Sequence, residues 1–97
     1  MPFIQIIEYR TNRADEIDQL AAEWAQATEG KRTATRSTQC VDRDNPGTRV
    51  LIAEFPSYEE AMRNSELPET RALAEKIAKL CDGPPIFRNL DVASTLV

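Results

Sequence analysis

NSELPETRALAEKIAKL, residues Asn64 to Leu80, has the composition of a helix and a proline in its middle. Inside a helix a proline removes one backbone hydrogen bond and clashes with the preceding turn, at about 3 kcal/mol, and it biases the residue before it away from helical backbone. In the first turn it is tolerated, because the missing N–H has no helical partner there. Leu67 is therefore expected to be extended and Pro68 to open a new helix, with Glu69 well placed near its positive end. Leu73, Ala74, Ile77, Leu80 and Cys81 then share one face, Gly83 suits the position after the helix, and Pro84-Pro85 prevent continuation. The stretch reads as the end of a short helix (Tyr58 to about Ser65), a bend, and a second helix (Pro68 to Asp82).

Upstream, Ser57 and Glu60 form a capping box for the short helix, and Pro56 ends the strand TRVLIAEF, Thr48 to Phe55. Val50 and Ile52 fall on one face of that strand, Leu51, Ala53 and Phe55 on the other. Pro46-Gly47 predicts a type II turn, preceded by a polar, threonine-rich strand, Thr33 to Val41. DRDNPGTR resembles the start of an EF-hand loop, but Pro46 occupies a ligand position and Ala53 stands where the closing glutamate belongs, so no metal is expected. The N-terminal FIQIIEYR, Phe3 to Arg10, is a strand with apolar residues on both faces. Asn12 is the expected N-cap of an amphipathic helix, about Ala14 to Glu29, carrying Ile17, Leu20, Ala21, Trp24, Ala25 and Thr28 at helical spacing. Ile86 to Val92 is the last strand, and Ala93 to Val97 an extension.

The resulting order, β-α-β-β-α(α)-β, predicts a single domain over residues 1–97: a ferredoxin-like α+β sandwich with a four-stranded antiparallel sheet and helices on one face. The second face of an antiparallel sheet is polar when it meets water. Here the first and third strands are apolar on both faces, which predicts a homodimer formed sheet to sheet.

The net charge of −4 argues against nucleic acid as the main partner, and no apolar run reaches the ~20 residues of a membrane span. The N-terminus lacks a basic leader region, so a cytoplasmic protein is expected. Cys40 and Cys81 follow no metal or redox spacing and read as free thiols. There is no histidine. That removes histidine-ligated zinc, a proximal haem ligand, and nucleophile systems that depend on a histidine base.

With this order assembled, the chain resembles the dimeric α/β-barrel proteins of the antibiotic biosynthesis monooxygenase-like superfamily. The resemblance is carried by Glu54-Phe55 closing a strand, the Ser57-Tyr58-Glu59-Glu60-Ala61 helix start, the restart at Pro68, and the ending from Asp82 to Val92. It implies two four-stranded sheets packed as a barrel-like dimer, with a pocket between helices and sheet in each subunit. Family activities include cofactor-independent monooxygenation of aromatic substrates, haem degradation and isomerisation. The haem-degrading members bind iron through a histidine, which this chain lacks. The quinol-oxidising members use Asn, Trp, Tyr and Arg around the pocket. Asn64 matches the asparagine, but no tryptophan follows it, and the single tryptophan is Trp24 on the first helix.

The candidate catalytic residues are Tyr9, Asn64 and Arg88, and the candidate ligand-binding residues are Tyr9, Trp24, Arg36, Asn64 and Arg88. Each has a plainer reading. Tyr9 either orients a ligand or bonds at the barrel rim, Trp24 is core or pocket wall, and Asn64 is a C-cap or a pocket group. Arg88 pairs with a carboxylate or binds an anion, and Arg36 and Gln39 on the polar strand are similar. Two functions follow. One is a cofactor-free monooxygenase or isomerase acting on an aromatic, quinol-like or acidic molecule. The other is a non-catalytic ligand-binding or interaction dimer.

Overall fold

The structure, a computed structural model, describes all residues from Met1 to Val97. Its elements run β1 (Phe3–Arg10), α1 (Ala14–Ala27), β2 (Arg36–Val41), β3 (Thr48–Phe55), α2 (Tyr58–Glu66), α3 (Pro68–Leu80) and β4 (Ile86–Asp91). The sheet is antiparallel throughout, in the order β2-β3-β1-β4. This is the expected ferredoxin-like α+β fold.

Pro68 opens α3 as its first residue. Leu67, at φ −58 and ψ 134, is the non-helical link that ends α2 and begins α3, and its carbonyl accepts from the N–H groups of Thr70 and Arg71. At the start of α2 the Ser57 hydroxyl accepts from the Glu60 N–H at 3.2 Å, the first half of the capping box.

Several element ends differ from the sequence expectation, where hydrogen bonds outside the element take the backbone elsewhere. α1 is preceded by Arg13, not capped by Asn12; the Arg13 N–H donates to the Thr11 hydroxyl oxygen. Thr11 is buried and held, its N–H donating to the Gly47 carbonyl and its hydroxyl to the Leu80 carbonyl at 2.7 Å. α3 stops at Leu80, two residues early, because Cys81 is extended and the Asp82 N–H donates to the Arg10 carbonyl. β2 begins at Arg36 instead of Thr33, because Thr33 is tied to α2: its N–H donates to Asn64 Oδ1 and its hydroxyl to the Glu60 carbonyl. The β2–β3 turn is closed by the Thr48 N–H on the Asn45 carbonyl, and Gly47 does not take the positive φ that a type II turn requires.

Directly opposed residues share a sheet face. Phe3 pairs with Phe55, Gln5 with Ala53, Ile7 with Leu51 and Tyr9 with Arg49. This face carries the helices. Phe3, Ala53, Phe55 and Ala61 of α2 form the buried cluster, with the Phe3 ring edge-on to Tyr58 at 5.5 Å. α1 packs on α3, and Trp24 of α1 donates its indole N–H to the Thr70 hydroxyl of α3 at 2.9 Å.

The opposite face carries Ile4, Ile6, Val50, Ile52, Ile86 and Leu90, and no helix covers it. Only 11 of 97 residues are buried, six of them apolar, so a large share of the apolar side chains stays at least partly open. Replacing the cap, Ser57→Ala, leaves the Glu60 N–H without its acceptor and lowers the unfolding free energy by about 1 kcal/mol in urea titration.

Candidate functional site

The helix-facing side of the sheet changes character along β1. At the Phe3 end it is filled by aromatic rings and Ala53. In the middle Ile7 and Leu51 are half-buried, next to Gln5, whose amide donates to Asn89 Oδ1 at 3.1 Å. At the far end it is polar. Tyr9, 5% exposed, donates its phenol O–H to Gln39 Oε1 at 3.1 Å. Arg49, directly opposite Tyr9 and 8% exposed, places Nη2 2.8 Å from Asp18 Oδ1 on α1. Arg49 Nε is buried and has no hydrogen-bond partner. Phe87 faces the same side from β4, opposite Ile7, and is open to solvent.

This strip, from Ile7, Leu51 and Phe87 to Tyr9, Gln39 and Arg49, is the candidate site. Its walls are apolar and one end offers hydrogen-bond donors, the usual character of a small-molecule site. Gln39 uses its carbonyl oxygen toward Tyr9 and keeps two N–H donors. Burial is the main cause of a Tyr9 pKa above 10.0; the Arg49 charge opposes it, and the Asp18 charge adds to it. Tyr9 is therefore a neutral donor at physiological pH. The half-buried Cys81 thiol is pushed up by burial first and by Asp82 second, which keeps it protonated and poorly nucleophilic.

The sequence candidates divide between places. Tyr9 and Gln39 lie together in the strip. Arg88 does not, because it stands opposite Ile6 on the uncovered face. Arg36 is on that same face, opposite Glu54, with Nε 3.9 Å from its carboxylate. Asn64 is buried in α2, where Oδ1 accepts from the Thr33 N–H at 3.1 Å and holds the loop that leads into β2. Trp24 joins α1 to α3 through Thr70 and carries the Arg32 guanidinium 5.8 Å from its ring centre. Arg49 and Asp18 were not singled out by sequence reasoning. A signal for Arg49 was present: continuing the Phe55-Ala53-Leu51 alternation by one step puts this arginine on the inward face. Asp18 carried none, since it is one of several acidic residues beside the apolar stripe of α1.

Two open grooves flank α1 away from this strip. One, of about 430 Å³, is lined by Asp15, Glu16, Gln19, Leu20 and Leu80, and the other runs from Thr11 to Glu16 around the start of the helix. Both are outward-facing and acidic, and neither reaches Tyr9. No three His, Cys, Asp or Glu side chains are grouped so as to hold a metal ion, and no helix is long and apolar enough to cross a membrane.

No protein-family model matches the sequence, and no curated protein matches it. Solved structures match it throughout. SnoaB from Streptomyces nogalater, a cofactor-independent oxygenase, superposes with a TM-score of 0.82 at 17% identity, over 98% of this chain and 96% of that one. The fold is that of the antibiotic biosynthesis monooxygenase-like proteins. A further antibiotic biosynthesis monooxygenase has a TM-score of 0.78 at 18% identity, over 97% of this chain and 100% of that one. A conserved protein from Methanosarcina mazei reaches 0.83 at 8% identity, over 93% and 91%. Identities this low with superpositions this close mean that the antibiotic biosynthesis monooxygenase-like fold is set by pattern and topology, not by particular side chains.

A phenol whose folded pKa lies above its unfolded value binds its proton more tightly in the native state. Its contribution to stability is complete below about pH 10 and declines as pH rises through the folded pKa. Tyr9→Phe removes that decline, so urea titrations between pH 9 and 11 show a smaller alkaline loss of stability in the variant than in the parent chain.

Proposed function

We propose that the chain is a cytoplasmic, homodimeric, cofactor-independent monooxygenase acting on an acidic aromatic or quinol-like molecule held between helices and sheet. The observation that carries this reading is the polar end of an otherwise apolar strip, where the Tyr9 phenol and the Arg49 guanidinium stand directly opposite each other. The likeness to SnoaB, itself a cofactor-independent oxygenase, supports the same chemistry at the level of fold.

The reaction suits these groups. A substrate CH₂ activated by a carbonyl, or a phenol, gives one proton to solvent and becomes an enolate or phenolate; solvent later returns that proton to the peroxide. Arg49 and the amide N–H of Gln39, which the Tyr9 phenol holds in place, stabilise that charge beside buried side chains. The anion delivers its electrons to dioxygen, a carbon–oxygen bond forms, and protonation gives a hydroperoxide. Loss of water from the hydroperoxide carbon leaves a carbonyl. One oxygen atom ends in the product and the other in water, so dioxygen is the only oxidant. The substrate supplies its own acidic group, and the protein supplies donors and a dry wall.

A second reading, a non-catalytic ligand-binding or interaction dimer that uses the same pocket, is favoured by the structural use of Asn64 and Trp24. Both are engaged in holding the fold together. Oxygen uptake with an anthrone or a dihydroxynaphthalene separates the two. The monooxygenase consumes one dioxygen per substrate and forms the carbonyl product, and Tyr9→Phe lowers kcat/KM by about tenfold or more. A probe that raises the melting temperature without consuming oxygen supports the binding dimer instead.

The dimer in this proposal forms through the uncovered sheet face. Ile4, Ile6, Val50, Ile52 and Leu90 make one apolar surface there, which is costly to leave in water. Ile52→Asp, at its centre, converts the dimer to a monomer in sedimentation velocity at micromolar concentration. A parent chain that sediments as a monomer under the same conditions refutes the assembly.

A further inference from the structure

We propose that Arg49 binds an anionic oxygen of the ligand, and that Asp18 sets how strongly it does so. This rests on the reading of the helix–sheet strip as the ligand site and names the chemical class that the site selects: an aromatic molecule carrying a carboxylate or an ionised enol or phenol.

The argument starts from what the guanidinium has and lacks. Arg49 is 8% exposed, and its one side-chain acceptor is Asp18, met through Nη2 at 2.8 Å. Nε is buried without an acceptor. A buried donor left unpaired is costly, and nearly all such donors in folded proteins find a partner. The neighbours do not supply one. The Tyr9 phenol and the Gln39 carbonyl oxygen are turned to each other, and neither is placed to accept from Nε. The unmet buried group of the cluster is a donor, Arg49 Nε, and the Gln39 amide N–H groups lie on the same sheet face. A ligand that satisfies it must bring acceptors, and beside a guanidinium an anionic oxygen is the strongest acceptor available.

Asp18 differs from Arg49 in one respect that gives it a tuning role. Its side chain is half exposed, 50% against 9% for Arg49. Water therefore screens the carboxylate more than the guanidinium, and the pair keeps a positive bias toward the interior. Asp18 thus holds the arginine in place and cancels part of its charge. Its removal leaves a guanidinium free to give more to a ligand. Asp18 is a positioning residue, since it acts through Arg49.

The test compares 2-naphthoate with 2-naphthalenemethanol, which share a ring system and differ in charge, by calorimetric titration of the intact protein at low salt. The parent chain favours naphthoate. Arg49→Lys keeps the charge and the reach to Asp18 but has no Nε donor, and it lowers the naphthoate preference about tenfold while the alcohol binds as before. Asp18→Asn raises the preference severalfold, an outcome that a purely structural role for the ion pair does not produce. Circular dichroism checks that each variant is folded. Should Arg49→Lys unfold, Asp18→Asn, with its side chain at the surface, decides alone. No naphthoate preference in the parent chain, equal weakening of both probes by Arg49→Lys, or an unchanged preference in Asp18→Asn overturns the assignment. Oxygen uptake is measured separately with the anthrone. A naphthoate preference without oxygen consumption rejects the monooxygenase and keeps the anion site.

Discussion

β1 is paired on both edges, with β3 on one side and β4 on the other, and it is apolar on both faces. A strand in that position dictates most of what surrounds it. One face is covered by the chain's own helices, which are all on the same side. The other is left with a surface of isoleucine, valine and leucine that intramolecular packing does not reach. The register of β1 on β3 also decides the site, since it sets Phe3 against Phe55 at one end and Tyr9 against Arg49 at the other. A slip of β1 by one residue would turn it over, sending the phenol to the uncovered side and parting it from the guanidinium.

The helix-facing side is thus a gradient. Aromatic rings and Ala61 close it near Phe55, where α2 begins under its serine cap. At the polar end Tyr9 and Arg49 are buried too, and Arg49 meets the half-exposed carboxylate of Asp18, joining α1 to the sheet. Such a pair is a poor source of stability, because the arginine is desolvated while water screens its carboxylate partner. Burying an arginine here, with one of its donors unsatisfied, makes more physical sense as preparation for an acceptor than as a device for holding α1. α1 already has Ile17 and Trp24 for that purpose.

All seven elements were legible in the chain. β-Branched and aromatic residues marked β1 and β3, helical spacing marked α1, and Pro68 marked the division between α2 and α3. Element ends were less legible where their last hydrogen bonds are made to distant residues. Thr33 leaves the ladder for α2, Thr11 displaces the expected cap of α1, and Asp82 abandons α3 for Arg10. The site was legible in part. Tyr9 stood out as a phenol at the end of an apolar strand, and Gln39 as a polar group on the neighbouring polar strand. Arg88 and Arg36 looked equally available, because a basic residue on a strand has the same local signature on either face.

The order of the elements, the helix break and the surplus of apolar surface on the sheet are written locally in the chain. These follow from backbone sterics at Pro68 and from periodicities read along short stretches. Which side chains meet depends on the assembled fold. Strand pairing assigns each residue to a covered or an uncovered face, and packing of α1 brings Asp18 to Arg49 across 31 positions of sequence. An ion pair of that kind leaves no local trace, since its energy depends on burial and on the separation of two groups that are distant in the chain.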